Sequence, residues 1–511
     1  MTAGAEDVDI LVVGGGVNGI GIARDAAGRG LKVMAVEQND LASATSSAST
    51  KLIHGGLRYL EYYEFRLVRE ALSEREVLLE SAPHIIWPLR FVLPHEKSLR
   101  PAWMIRIGLF LYDHLGGRKR LPGSRRVDLD RAPLNDGLKA DYRVGFEYSD
   151  CWVNDARLVV LNAIDARERG ATILTRAACV SAARAGAGWT AEIRTADGGT
   201  RRVGAKVLVN ATGPWAAQFI QQRAGIAMSA QLRLVKGSHI VVPRLYAGSH
   251  AFILQNHDRR IVFAIPYEQD FTLVGTTDVP YEGDPARVAI SADETAYLCD
   301  VVNRHFARSI APKDVVWTYA GVRPLFDEDG SANASAVSRD YVLDLDGAAG
   351  QAPLLNVFGG KITTYRRLSE HALQKLKPFF PQMGGDWTAH GTLPGGDIAD
   401  ADFDRFAGDA ARRFPWLPAA TVRRLCRAYG TRIDRILKDA KGVNDLGQNF
   451  GADLYEREIA YLVEQEWAHS AEDVLWRRSK LGLHMTAEQR AALERRLPSA
   501  AAAPARAAEA R

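Results

Sequence analysis

In residues 9–13, DILVV, an apolar run begins after Asp9 and stops at Gly14. A short run bounded by glycine predicts a buried strand. Ile20, Ile22, Ala23, Ala26 and Ala27 then recur with helical spacing up to Gly28 and Gly30, and a second apolar run, LKVMAVE, ends on Glu37. The order is strand, helix, strand. Further on, HIVVP, AFILQ, RIVFAIPY and FTLVGTTD are short, β-rich and separated by polar joins. They predict an antiparallel sheet between two halves of a dinucleotide-binding domain. From Leu393-Pro394-Gly395-Gly396 onward the pattern turns helical, as in FDRFAGDAARRF and LYEREIAYLVEQEWAH. The PGG marks a domain boundary. One block is ambiguous. RPAWMIRIGLFLYDHLGGRKRLPGSRR (100–126) is apolar at Met104, Ile105, Ile107, Leu109, Phe110, Leu111, Tyr112 and Leu115, and basic afterwards. It reads as a core helix with a basic loop or as a helix lying in a membrane interface.

The turn after the first strand changes the picture. Gly14, Gly16 and Gly19 stand in G-x-G-x-x-G register, and Glu37 ends the second strand. Such a unit brings a pyrophosphate to a helix N-terminus, with the acid accepting hydrogen bonds from an adenosine ribose. A plain NAD domain would continue into another helix and strand. Here TSSASTKLIHGGLRYLE (45–61) follows instead: small hydroxyls without period, then Lys51, His54, a glycine pair, Arg58 and Tyr59. That loop suits a long dinucleotide, to which it offers hydroxyl and backbone N–H donors.

Bulk properties narrow the class. The 511 residues carry a formal charge of only +4, which makes no case for nucleic acid. Cys151, Cys179, Cys299 and Cys426 are mutually distant, so no zinc or iron–sulfur site is expected and reduced thiols of a cytoplasmic protein fit. The N-terminus MTAGAEDVDILVV lacks a signal core. No apolar run approaches the ~18–20 residues that cross a bilayer.

Taken with KVLVNATGPWA (206–216) and LLNVFGGKITTYRRL (354–368), these segments resemble the FAD-dependent glycerol-3-phosphate dehydrogenase family, nearest to its aerobic respiratory members, within the D-amino-acid-oxidase-like flavoproteins. Other shared stretches are GFEYSDCWVNDARLV (145–159), KGSHIVVP (236–243), GTTDVPYEGDP (275–285), WTYAGVRPL (317–325) and LWRRSKLG (475–482). The resemblance implies an α/β fold, with a Rossmann-like FAD-binding two-dinucleotide-fold domain interleaved with an antiparallel-sheet substrate domain, plus a helical C-terminal domain. The expected limits are 1–80, 145–225 and 335–390 for the FAD domain, and 81–144 and 226–334 for the substrate domain with its membrane-associating segment near 100–126. The helical domain is 391–497, and 498–511 is a disordered tail.

The resemblance also implies the chemistry. The expected cofactor is FAD, contacted by Gly14, Gly16, Gly19, Glu37, Ser46, Ser47, Lys51, Thr212, Gly213, Gly360 and Thr363. The expected reaction is oxidation of sn-glycerol 3-phosphate to dihydroxyacetone phosphate, with electrons passed to a membrane quinone. Arg323, Arg339, Arg58 and Tyr59 are candidates for the substrate. Arginine suits phosphate because its planar fork makes paired, charge-assisted bonds. His54, His239 and Lys361 are three candidates for the proton, and the sequence leaves the choice open. A quinone dissolves in lipid, so the expected location is peripheral, on an anionic lipid surface at the cytoplasmic face of the inner membrane. A homodimer is left open. The alternatives are an oxygen-using oxidase of the same fold and a flavin-binding regulator without turnover.

Overall fold

A computed structural model describes residues 6–96, 101–226, 231–258, 260–327, 340–347, 350–437 and 439–497. The apolar run 10–13 lies in strand β1 (Glu6–Val13), and LKVMAVE supplies β2 (Val33–Val36). Residues 10–12 are fully buried, as a strand covered on both faces requires. Among the described residues the strands form two sheets. In the first, β1 lies between β2 and the strand Thr200–Asn210, parallel to both. Helix α1 (Val17–Gly28) joins β1 to β2 and packs against the helices Asp155–Glu168 and Tyr365–Leu376. Val13 is in register with both Val36 and Asn210. Gly14, Glu37 and Ala211 therefore emerge together at the carboxyl edge, where open parallel sheets bind their ligands.

The second sheet contains β3 (Leu52–Ile53) and β4 (Ile86–Pro94). Its central strands, Gln231–Pro243, Phe271–Gly275, Ile261–Tyr267 and Ala251–Gln255, are hydrogen-bonded in that order and are the β-rich segments of the sequence. Alternation sorts its two faces. Ile240, Val242 and Phe252 pack towards Leu298 and Val302 of the helix Ala292–His305, whereas Val241 and Ile253 face the other way. The strand Val144–Val153, grouped above with the FAD domain, belongs to this sheet, paired along β4 from Ile86–Val153 to Pro94–Gly145. It is buried almost throughout, so no alternation announces which sheet it joins.

Helix α2 (Phe65–Ser81) and helix α3 (Ala102–Leu115) cover the second face. On α3, Ile105, Leu109 and Tyr112 are buried among Val68, Leu72, Phe91 and Tyr148. Trp103, Met104, Ile107 and Phe110 on the same helix are 63%, 47%, 53% and 61% exposed. The block is thus apolar on two faces, one packed and one open. After residue 400, the helices Phe403–Arg413, Ala419–Tyr429, Ile433–Leu437, Glu456–Glu466 and Ala487–Arg496 surround a core of their own around Val422, Leu425 and Leu462. Ion pairs tie them to the first sheet's elements: Arg157 with Glu466, Arg478 with Asp40 at 2.6 Å, and Arg176 with Asp473 at 2.7 Å. A buried pair adds little net stability, but removing one partner strands the other charge. The expected tail, 498–511, lies outside the described residues.

Candidate active site

The carboxyl edge of the first sheet and the second face of the other enclose a cavity of about 2370 Å³. Ligand pockets usually occupy ~300–1,000 Å³, so a long cofactor and a small second molecule have room together.

At one end the wall is largely main chain. Gly14 has φ +121°, and a Cβ there would stand 2.3 Å from the Ala211 carbonyl oxygen. The Glu37 carboxylate accepts from the N–H groups of Gly15 at 2.7 Å and Asn39 at 2.8 Å. Burial raises its proton affinity above that of an ordinary glutamate. A carboxylate has about four lone-pair sites, so acceptor capacity remains for a ribose. Ser46 Oγ accepts the Val17 N–H at 3.0 Å, at the start of α1, whose first turn carries no acidic side chain. That end of a helix favours an anion. Gly16, Ser47, Thr212, Gly213, Gly360 and Thr363 also line the cavity. An acid for a ribose, a helix start for a pyrophosphate and a trench continuing past both fit FAD.

Two residues expected at the cofactor stand elsewhere. Gly19 supports the turn from behind; a Cβ on it would meet the Gly14 carbonyl oxygen at 2.2 Å. Lys51 is buried, and its Nζ donates to both Asp155 carboxylate oxygens at 2.9 Å and to the Ser47 carbonyl at 3.0 Å. The Ser49 hydroxyl donates to the same carboxylate at 2.7 Å. Lys51 therefore anchors the hydroxyl loop. Its partner lies 104 residues away, which no local pattern shows.

The other end is built from side chains on the second sheet. His239 and Tyr319 are register partners on neighbouring strands, with rings stacked at 4.7 Å and 16°. Thr50 Oγ1 lies 3.0 Å from His239 Nε2. Burial, then Lys51 and Arg323, holds the imidazole neutral well below its usual pKa. Arg323 Nη1 donates to Asp278 at 2.5 Å, and Nη2 donates to Thr276 Oγ1 at 2.9 Å and to the Thr277 carbonyl at 3.3 Å. Guanidinium has five N–H donors, so these three bonds leave two, one on Nη1 and one on Nε, for a ligand. Nη2 lies over Gly237, where a Cβ would come within 2.3 Å. Gly237 and His239 share a strand face, ~7 Å apart.

His54, Arg58, Tyr59 and Lys361 also line the cavity. Lys361 Nζ sits 3.9 Å from the centroid of the Tyr59 ring. The His54 N–H donates to Thr363 Oγ1 at 3.2 Å, and burial, Lys361 and Arg75 lower its imidazole pKa to about 4. Arg58 donates to the Tyr62 hydroxyl at 3.3 Å, next to exposed Tyr62 and Tyr63. Arg339 lies outside the described residues. Thr50, Thr276, Asp278 and Tyr319 belong to the site and were not singled out from the sequence. The only signal for them is proximity: they sit in TSSASTK, GTTDVP and WTYAGVRPL, the stretches already marked.

Comparison with known proteins supplies the relatives. The sequence model of FAD dependent oxidoreductases matches residues 9–366, and that of the C-terminal domain of alpha-glycerophosphate oxidase matches residues 387–503. A glycerol-3-phosphate dehydrogenase of Pseudomonas aeruginosa is 57% identical over 97% of this chain and 96% of that protein. A D-erythritol 1-phosphate dehydrogenase of Brucella abortus is 56% identical over 95% and 97%. The crystal structure of a glycerol-3-phosphate dehydrogenase from Bacillus halodurans complexed with FAD superposes with a TM-score of 0.74 at 28% identity, covering 97% of this chain and 89% of that one.

Proposed function

The chain belongs to the FAD dependent oxidoreductase family, and from that premise we propose that it oxidises sn-glycerol 3-phosphate to dihydroxyacetone phosphate and delivers the electrons to a membrane quinone. FAD, when bound, supplies the hydride acceptor. The protein must hold a phosphate, take a proton from the carbinol hydroxyl, and place positive charge where negative charge develops.

One observation carries the reading: the Arg323 guanidinium and a neutral imidazole at His239 stand two strand positions apart on one cavity wall. Arg323, oriented by Asp278 and Thr276, binds the phosphate. His239, fixed by Tyr319 and Thr50, takes the hydroxyl proton. Its low proton affinity in the protein alone rises once a phosphate dianion lies beside it, because an opposite charge nearby favours the imidazolium. His54 too stands beside two cations, Lys361 and Arg75, but not beside the phosphate-binding Arg323. Lys361 contributes a positive charge to the wall and Tyr59 a hydroxyl and a ring.

The Brucella relative supports a second substrate, D-erythritol 1-phosphate, which carries the same phosphate and secondary hydroxyl on a longer chain. Anaerobic mixing of the holoenzyme with each compound decides. Glycerol 3-phosphate should bleach the flavin absorbance at the lower concentration. A preference for erythritol 1-phosphate transfers the assignment, and bleaching by neither overturns both.

For the acceptor, the support is the open face of α3. No helix among the described residues is long and apolar enough to cross a membrane. Trp103, Met104, Ile107 and Phe110 are exposed, as are Tyr62 and Tyr63 on the turn that packs beside α3. Arg118, Lys119, Arg120, Arg125 and Arg126 are exposed just beyond. Apolar burial with basic flanks is how a helix binds an anionic bilayer surface. A Trp103→Glu, Ile107→Glu, Phe110→Glu variant should keep dye-linked dehydrogenase activity but no longer sediment with anionic vesicles or reduce quinone in them. Equal sedimentation of variant and wild type would remove α3 as the anchor.

A further inference from the structure

The inner face of α3 reaches the main chain between two cavity-lining residues, His54 and Gly56. The Gly55 N–H donates to the Tyr112 hydroxyl oxygen at 2.7 Å, and that oxygen lies 2.8 Å from both carboxylate oxygens of Asp150. With Gly55 as donor, the Tyr112 proton goes to Asp150. Arg75 closes the chain, donating to Asp150 at 2.8 Å and to the Ser149 carbonyl at 2.8 Å. On its other side Arg75 meets Glu76 at 3.3 Å, whose carboxylate accepts the N–H groups of Lys119 and Arg120, both at 3.2 Å. Tyr112, Asp150 and Arg75 are all buried. A Cβ on Gly55 would lie 2.8 Å from the Tyr112 hydroxyl and 2.4 Å from Leu72 Cδ2, so the main chain there is pressed onto this group.

A phenylalanine at 112 would fill the same apolar space. A buried charge pair is expensive, and the hydroxyl it serves ends on one backbone N–H. That N–H belongs to the residue between His54 and Gly56, at the head of the turn carrying Arg58 and Tyr59. We propose that Tyr112, backed by Asp150 and Arg75, is a positioning residue. It sets where the turn 54–59 presents His54, Arg58 and Tyr59 to the cavity, and makes α3 and its basic loop part of the active-site frame. The effect on turnover rests on the function proposed above; the effect on the bound cofactor does not.

The test uses holoenzyme with Tyr112→Phe, and Leu109→Val as a packing control on the same helix face. A small misplacement of reacting groups slows a reaction by up to ~100-fold. Tyr112→Phe should keep its FAD, slow the limiting rate of anaerobic flavin reduction about ten- to hundred-fold, raise the substrate Kd severalfold, and shift the visible circular dichroism of the bound flavin. Leu109→Val should lower the thermal midpoint at least as much while leaving rate, Kd and dichroism within twofold of wild type. An unchanged rate and dichroism in Tyr112→Phe, or the same change in both variants, overturns the proposal. If no polyol phosphate bleaches the wild type, the function falls instead, and the dichroism alone decides for Tyr112.

Discussion

At the end of the cavity beside α1, the groups that shape the wall belong to the main chain: the Gly14 turn, the Gly15 and Asn39 amides on Glu37, and the start of α1. At the other end they are side chains, His239, Arg323 and Lys361, each on a different strand or loop and each set by a neighbour such as Tyr319, Asp278 or Tyr59. A main-chain site is all or nothing, because one added atom moves the backbone. A side-chain site can lose its parts one at a time, and each loss has its own signature.

The harshest way to break that contrast is Gly14→Ala. Neither the φ of +121° nor the 2.3 Å approach to the Ala211 carbonyl tolerates a side chain. The variant should purify without flavin and fail to recover it, as absorbance will show; a yellow, active Gly14→Ala would refute the main-chain account. Next is His239→Asn, which keeps a polar planar group but no base. Flavin should stay bound and its reduction should slow by ~10²–10⁴-fold. A rate within tenfold of wild type would pass the proton to another group. Arg323→Ala comes third. A charge-assisted hydrogen bond contributes about 1.5–3 kcal/mol, or one to two decades in affinity. Substrate titration should show that loss with FAD content unchanged, and Arg323→Lys should recover only part of it. An unaltered affinity would exclude a direct phosphate role.

The mildest test concerns pH. The His54 imidazole pKa is lowered to about 4, from an ordinary 6.5 in the unfolded chain. Between those values the unfolded state binds the additional proton, so folding stability should fall as pH drops from about 6.5 towards about 4. Above pH 6.5 the imidazole is neutral in both states and the effect vanishes. Thermal midpoints of His54→Gln should therefore decline less steeply than wild type across that window. Parallel profiles would show that His54 is not held neutral by its surroundings.

The same contrast explains what the sequence alone reveals. A main-chain site is written locally: Gly14, Gly16 and Glu37 lie within one strand–helix–strand unit, and each reaches the cavity as its spacing predicts. The side-chain end is legible only as single residues. Arg323 and His239 stand out as chemistry, but their partners Asp278, Thr50 and Tyr319 are 45, 189 and 80 positions away, joined by strand pairing that periodicity does not encode. Lys51 shows how proximity misleads. Surrounded by hydroxyl residues it resembles a phosphate ligand, yet Asp155 captures it. The strand 144–153 is a similar case, buried on both sides and hence without an address. Helix α3 is the reverse: its pattern supports a core reading and an interfacial one, and the fold packs one apolar face and leaves the other exposed.

The pairing of Asp40 with Arg477 and Arg478 has a consequence for anyone who trims this chain. Asp40 follows Glu37 by three residues, in a loop that lines the same end of the cavity. Arg176 stands 4.0 Å from it, but the counter-charges that hydrogen-bond to it, Arg477 and Arg478, arrive after almost the whole polypeptide has been made. The C-terminal helices are therefore no detachable appendage. A gene cut at the domain boundary would leave Asp40 to Arg176 alone, and a ribosome reading the full gene cannot supply its hydrogen-bonded partners until residue 478 emerges.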